Sequence, residues 1–273
     1  MKKIILLLAT TLSMALCTPQ SLSAQCSSKN TAFRSGETLI YDLYFNWKFV
    51  WVKAGTASMN ITQGSFNGKP AYRTYLITRG SQQADKFFVM RDTLISYTDL
   101  NLTPLYYRKG ALEGKTYRKE EVIYSYPNGN CKVNLFYQRE GHDPRRNIHE
   151  SIYCAYDMLS MLLRARSFDP ANFKKGHRIK FLMADGKRCE WQSIVYRGKK
   201  NFTIENTSTT YRCLVFSFME TEDGEEKEVV KFYVTDDDNH LPVRLDMNLN
   251  FGTAKAYLRG ARGIRNPQTS KIK

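Results

Sequence analysis

Apolar and polar residues alternate along most of this chain. In GETLIYDLYFNW, Leu39, Tyr41, Leu43, Phe45 and Trp47 fall on one side and Ile40, Asp42, Tyr44 and Asn46 on the other. Period-2 patterning predicts a strand with one face on a core. KFVWVKAGTASMNI continues the pattern, with Ala57, Met59 and Ile61 opposed to Thr56, Ser58 and Asn60. Gly55 in its middle predicts a bulge or the close approach of another segment. Asn67-Gly68 is a hairpin turn signal, after which AYRTYLITR returns. Residues 82–91 break the alternation, and Ala84, Phe87 and Phe88 share a helical face, as in a short helix or lid. Strand patterns resume in TLISYTD, LYYRKGAL, KTYRKEEVIYSY and CKVNLFYQ. The second half adds six more, several joined by two-residue turns at Asp185-Gly186 and Asp223-Gly224. Strands joined so tightly are antiparallel neighbours, so both halves read as meanders. SYTDLNLTPLYYR and YVTDDDNHLPVRL echo one another, as an internal repeat or as shared turn chemistry.

One stretch departs from this rhythm. In SIYCAYDMLSMLLRAR, Ile152, Ala155, Tyr156, Leu159, Leu162 and Leu163 share a face at 100° per residue. Cys154, Met158, Met161 and Ala165 widen that face, leaving Tyr153, Asp157, Ser160 and Arg164 as a narrow polar stripe. The pattern predicts a mostly buried helix over residues 151–166, too short and too charged at its end to span a bilayer. The expected fold is therefore mainly β: a strongly curved antiparallel sheet or open β-barrel wrapped around one central α-helix.

The chain's 273 residues suit one such domain, expected over 25–265, with a flexible tail at 266–273. Residues 1–24 read as a signal peptide: Lys2 and Lys3, an apolar run, then a small-residue site ending at Ala24. The formal charge of +15 becomes +13 once those two lysines leave. Export makes nucleic acid an unsuitable partner for this basic surface. It points instead to an anionic envelope surface, or to plain solvation. A lipoprotein signal wants a small residue before its cysteine, whereas Gln25 precedes Cys26. A soluble periplasmic or otherwise exported protein is expected, not transmembrane after signal removal. Five cysteines follow the signal: Cys26, Cys131, Cys154, Cys189 and Cys213. Cys189 and Cys213 form the candidate pair on predicted neighbouring strands, the alternative being buried free thiols.

Three passages resemble the exported bacterial family called domain of unknown function 3108. They are GETLIYDLYFNWKFVWVKAGTASM, YDMLSMLLRARSF with Asp157, Leu159, Ser160 and Arg164, and KFYVTDDDNHLPVRLDMNLNFGTAKAYL. The resemblance implies export and a β-rich fold; it implies no activity and no site. A more distant architectural likeness is to periplasmic lipoprotein-carrier-type proteins, which close a curved sheet with helix.

No HExxH, GxSxG, Walker loop or helix-opening GxGxxG is present, so neither catalysis nor a metal or cofactor is expected. TDDDNH lacks the glycine and distal glutamate of an EF-hand and reads as a turn. The candidate ligand-binding residues are apolar: Phe45, Trp47, Trp51, Met158, Leu159 and Leu162, lining a space for an acyl chain or forming a packed core. Asp157, Ser160 and Arg164 form the candidate polar stripe, for a head group, as an anchor of helix to sheet, or simply facing water through the open side. The expected function is noncatalytic binding of a lipid or other envelope amphiphile between helix and sheet. The alternative is a structural or protein-interaction role with a filled core.

Overall fold

The computed structural model describes residues 26–47, 50–86, 88–205, 207–222, 224–249 and 252–272. The expected signal peptide, Phe87, and the side chain of Trp47 lie outside the described part. One sheet of fifteen strands dominates. In chain order the elements are β1 (Glu37–Trp47), β2 (Val50–Phe66), β3 (Lys69–Gly80), α1 (Gln82–Asp85), β4 (Met90–Asp99), β5 (Pro104–Glu113), β6 (Thr116–Ser125), β7 (Cys131–Arg139), β8 (Arg145–Ser151), β9 (Ala155–Tyr156), α2 (Met158–Arg166), β10 (Arg178–Ala184), β11 (Cys189–Thr203), β12 (Thr210–Glu222), β13 (Glu225–Thr235), β14 (Pro242–Leu249) and β15 (Gly252–Arg262). Strands β1 to β8 form one meander and β10 to β15 another, joined where β1 pairs β15. Every pairing is antiparallel except that of β9 with β10. No helix is long and apolar enough to cross a membrane, among the described residues.

The alternation read from the sequence sets the register. Leu39 and Tyr41 are buried, with Met59 and Ala57 opposite on β2. The bulge signalled by Gly55 is present: the β1–β2 register shifts between Leu43 and Tyr44. A Cβ on Gly55 would lie 2.2 Å from the Arg79 carbonyl oxygen, so only glycine fits there. Asn67 and Gly68 take φ of 51° and 77°, the geometry a tight hairpin needs. The two echoing passages adopt matching shapes. Each has a register shift, Tyr97/Thr98 in one and Tyr233/Val234 in the other. Each then has an aspartate-capped turn and a buried leucine, Leu102 or Leu241, before a proline opens the next strand.

The expected strongly curved sheet is present only in its coarser form, one largely antiparallel ladder left open, with β8 and β9 at its two ends unpaired with each other. β9 offers only two residues to pair, and β8 presents a largely exposed, charged edge that discourages a partner. The helix is also shorter than expected. It holds nine residues, about 13 Å, whereas the seventeen-residue β2 reaches about 55 Å, so α2 is not the axis of the sheet. Its start is set by Asp157, which is extended (φ −81°, ψ 172°) and accepts from the Leu159 and Ser160 amides. The preceding Ala155 and Tyr156 are spent on pairing with β10. Ile152 and Tyr153, assigned to the helix by their spacing, are 49% and 55% exposed in the bend after β8.

The expected burial of α2 holds in part: Leu159, Ser160, Met161, Leu163 and Arg166 are buried. Leu159 packs with Leu94, Tyr107, Val122, Val133 and Leu182, from β4 to β7 and β10. One turn later, Leu163 packs with Leu39, Ile61, Val215, Tyr233 and Val243, from β1, β2 and β12 to β14. Full burial of each leucine contributes roughly 1.5–3 kcal/mol. The tail expected to be mobile is docked: Ser270 is buried, donating its hydroxyl to Asp237 Oδ2 at 2.6 Å.

Candidate functional site

The polar stripe of α2 resolves into separate jobs. Asp157 is fully buried; besides its two amide donors it accepts from Ser96 Oγ at 3.1 Å and Tyr124 OH at 3.4 Å. The Asp157 amide in turn donates to Ser160 Oγ at 3.0 Å, completing a capping box. Burial raises the Asp157 carboxyl above the usual range, while hydrogen bonds from Ser160, Ser96 and Leu159 pull it back. Arg164 donates to the Cys26 and Ser27 carbonyls at 2.9 and 3.3 Å and lies over the Tyr156 ring. All three residues therefore anchor the helix.

A further anchor, Arg166, lies outside the polar stripe. Its Nη1 and Nη2 donate to Glu37 Oε1 and Oε2 at 2.5 and 3.0 Å, a fork-on-fork pair with side chains 1% and 0% exposed. Nε and Nη2 also donate to the Asn239 carbonyl, both at 3.1 Å, and the guanidinium lies over Phe33. Asn239 belongs to the TDDDNH segment, which is a turn. Its Asp237 accepts from Thr235, Asn239 and Ser270, and its Asp236 pairs with Lys199 and Arg212. These carboxylates are occupied by the protein's own donors.

The candidate apolar residues are not brought together. Leu159 is buried, Leu162 is partly buried against the core, and Met158 is 42% exposed. Glu37 marks the helix end of β1; Phe45 lies eight residues further on, roughly 26 Å along the strand. There it packs on Gly252. Trp51 faces Asn46 in the same hairpin and carries Lys255 Nζ over its ring at 4.0 Å. Period-2 reading puts residues on a common face, but not at a common height along it.

The cysteines also pair differently from expectation. The disulfide joins Cys26 to Cys154, with Cα atoms 5.2 Å apart. Cys189 and Cys213 are free. They do sit on neighbouring strands, but Cys213 faces Lys200, eleven residues from Cys189, about 35 Å along β11. A disulfide fits an oxidising, extracytoplasmic compartment. Cys131 adds a third sulfur to the group, but with two sulfurs bonded a single thiol is left to ligate a metal.

A cleft of about 460 Å³ lies on β11 to β13, lined by Lys175, Arg197, Lys199, Lys200, Val215, Glu228, Lys231 and Tyr233. It is built around a bulge. Tyr196 faces Phe216 and Gly198 faces Val215, so Arg197 is the extra residue. Gly198 has φ +105°, and a Cβ there would meet nothing within 4 Å. With no side chain opposite Val215, the row Gly198–Val215–Tyr233 leaves a depression with an apolar floor. Phe173 brings Lys175 to the rim: it stacks on His177 at 4.3 Å and packs on Tyr196 and Phe216. The Gly176 amide donates to the Tyr196 carbonyl.

Five cations face one carboxylate across this cleft. Glu228 is engaged by Lys231 at 3.0 Å and Arg197 at 3.7 Å, and accepts from the Ser217 hydroxyl. Burial pushes Glu228 up, but hydrogen bonds from Ser217 and Lys231 and the charges of Lys231 and Arg197 outweigh it, holding the carboxyl below its usual range. It is therefore ionised at neutral pH. Lys199 is paired with Asp236 at 2.9 Å. Lys175 and Lys200 are exposed, with no carboxylate partner among the described residues. The only sequence signal for this rim was the short run RGKK, Arg197 to Lys200.

The profile of a family described as a protein of unknown function, DUF3108, matches residues 40–259. The chain belongs to the DUF3108 family. The match takes in β11 to β13 and all of the cleft's lining. No curated protein sequence matches this DUF3108 chain. Among solved structures, it is similar to a β-barrel-like protein of domain of unknown function DUF1849 from Brucella abortus. That likeness has a TM-score of 0.55 at 12% identity, covering 86% of this chain and 100% of that one. It shows a shared fold. A protein with a YmcC-like fold from Bacteroides fragilis aligns over 86% of this chain and 99% of its own, with a TM-score of 0.34 at 6% identity.

Proposed function

We propose that this DUF3108 protein is a noncatalytic, exported binding protein of the cell envelope, and that it takes an anionic amphiphile at the β11–β13 cleft. The observation that carries this reading is the pairing of an apolar floor, Val215 and Tyr233, with a rim on which Lys175 and Lys200 have no carboxylate partner among the described residues. The floor accepts an apolar part, the rim accepts a phosphate or carboxylate head, and no metal or nucleophile is needed. Val215 and Tyr233 also belong to the apolar cluster that holds Leu163, so this binding place borders the helix–sheet contact rather than lying within it. Export is supported by the Cys26–Cys154 disulfide and by the lysine-led apolar start of the chain. In the same reading the two unpaired ends of the sheet come near one another. Lys187, in the β10–β11 turn, lies over Tyr137 of β7 at 4.6 Å, and the Ala155 amide donates to Cys131 Sγ at 3.4 Å, so side chains near the two unpaired ends touch.

Calorimetric titration with a short-chain phosphatidylglycerol, below its micelle concentration, tests the proposal. The short-chain phosphatidylcholine and glycerol phosphate serve as comparators. The anionic lipid should bind more tightly than either, since one lacks net charge and the other an apolar part. Lys175→Glu/Lys200→Glu should weaken it by about tenfold or more, and added salt should act in the same direction. Equal binding by wild type and the double variant, or no binding by wild type, would overturn the assignment.

A further inference from the structure

Cys26, Cys131 and Cys154 place three sulfur atoms within 4.8 Å of one another, although only Cys26 and Cys154 are bonded. The three come from unlike parts of the chain. Cys131 opens β7 opposite Ser151, the last residue of β8. Cys154 follows three residues later, and Ala155, next in line, donates its amide to Cys131 Sγ. Cys131 and Cys154 thus belong to one patch of the folded body. Cys26 sits on the leading segment, which lies across this patch. Arg164 and Tyr156 hold that segment through the Cys26 carbonyl, and Asn101 holds it through the Ser28 amide.

We infer that Cys131 is an exchange partner of this disulfide, so that the site passes between two pairings, Cys26–Cys154 and Cys131–Cys154. The chemistry balances without an outside oxidant or reductant. Cys131 loses its proton and the thiolate attacks Cys154 Sγ. The Cys154–Cys26 bond breaks, and its electron pair leaves on the Cys26 sulfur, which takes up a proton. One disulfide and one thiol are present before and after. Burial raises the Cys131 thiol above its usual range, partly offset by the Ala155 amide, so little thiolate exists in the closed state. Exchange is therefore slow and gated by local opening of the leading segment. The second pairing leaves a disulfide within the body and frees a thiol on the leading segment. That thiol, once deprotonated, can then attack the disulfide of another exported protein, forming a mixed disulfide while the partner's second sulfur leaves as a thiol. This inference stands apart from the anion cleft, since none of the three sulfurs lines it.

The test is peptide mapping of oxidised full-length mature protein, held in mildly alkaline buffer without reductant, quenched with acid and labelled with N-ethylmaleimide. A Cys131–Cys154 peptide should appear and grow with time, and labelled Cys26 should rise about tenfold above its level in Cys131→Ser. A second variant covers the case of slow opening. Cys154→Ser treated with oxidised glutathione should form a Cys26–Cys131 bond, because those two sulfurs are already neighbours. Cys213, buried in the other apolar cluster, reports global unfolding if it becomes labelled. The inference is overturned if wild type keeps only Cys26–Cys154 and Cys154→Ser leaves Cys26 and Cys131 both unbonded.

Discussion

Arg166→Met removes the cation that ties α2 to the start of β1. The Glu37 carboxylate would then stay fully buried without its partner, and the Asn239 carbonyl would lose two donors. Breaking a buried pair from one side costs about 3–5 kcal/mol, because the remaining charge stays desolvated. Glu37→Leu should cost a similar amount for the mirrored reason. The double variant removes both charges and their desolvation together. What remains is the Asn239 carbonyl, worth about 1–3 kcal/mol if unsatisfied. The double variant should therefore lie roughly 1–3 kcal/mol below wild type, well short of the sum of the singles. Urea unfolding followed by circular dichroism, with comparable m-values among the four proteins, gives the cycle directly. If Arg166→Met costs under about 1 kcal/mol, or the two losses simply add, the pair is not the anchor described.

Asp92 supplies a pH test. Burial lifts its carboxyl to about 6, helped by Glu113 and opposed by Lys109 and Arg118. The folded state then binds more protons than the unfolded state between about pH 4 and 6, so stability falls as pH rises through that window, by about 2–3 kcal/mol. Asp92→Asn should flatten the fall and raise stability at neutral pH; an unchanged slope in the variant speaks against the assignment. Asp157→Ala should cost about 2–4 kcal/mol in denaturant unfolding, the sum of a lost cap and of the Ser96 and Tyr124 hydroxyls left without their acceptor. A loss below about 0.5 kcal/mol would contradict the capping role. Gly55→Ala should destabilise strongly, because its Cβ meets backbone at 2.2 Å, while Gly64→Ala, with nothing within 4 Å, should change melting little. Similar effects from the two would remove the close-approach argument.

The strands were readable because a one-sided sheet forces a period of two, and the meanders because tight turns leave no other connection. The helix was half readable. Ser151 to Tyr156 keep helical spacing by coincidence, while pairing with β10 and the Asp157 cap decide where the turns begin. No local rule brings Glu37 to Arg166, or Cys26 to Cys154 across 128 residues, since such contacts follow from how the two meanders meet. Phe45 and Trp51 shared a pattern with the core, but their position along β1 and β2 separates them from α2. The cleft depends on a missing side chain at Gly198, and one glycine before two lysines carries little signal in a basic chain.

The proposal of an anionic ligand is tested most directly by native mass spectrometry of the protein released gently from its own envelope. Wild type should carry an anionic amphiphile that dissociates intact, and Lys175→Glu/Lys200→Glu should arrive without it. Wild type recovered bare, or the same adduct on the double variant, would contradict the account.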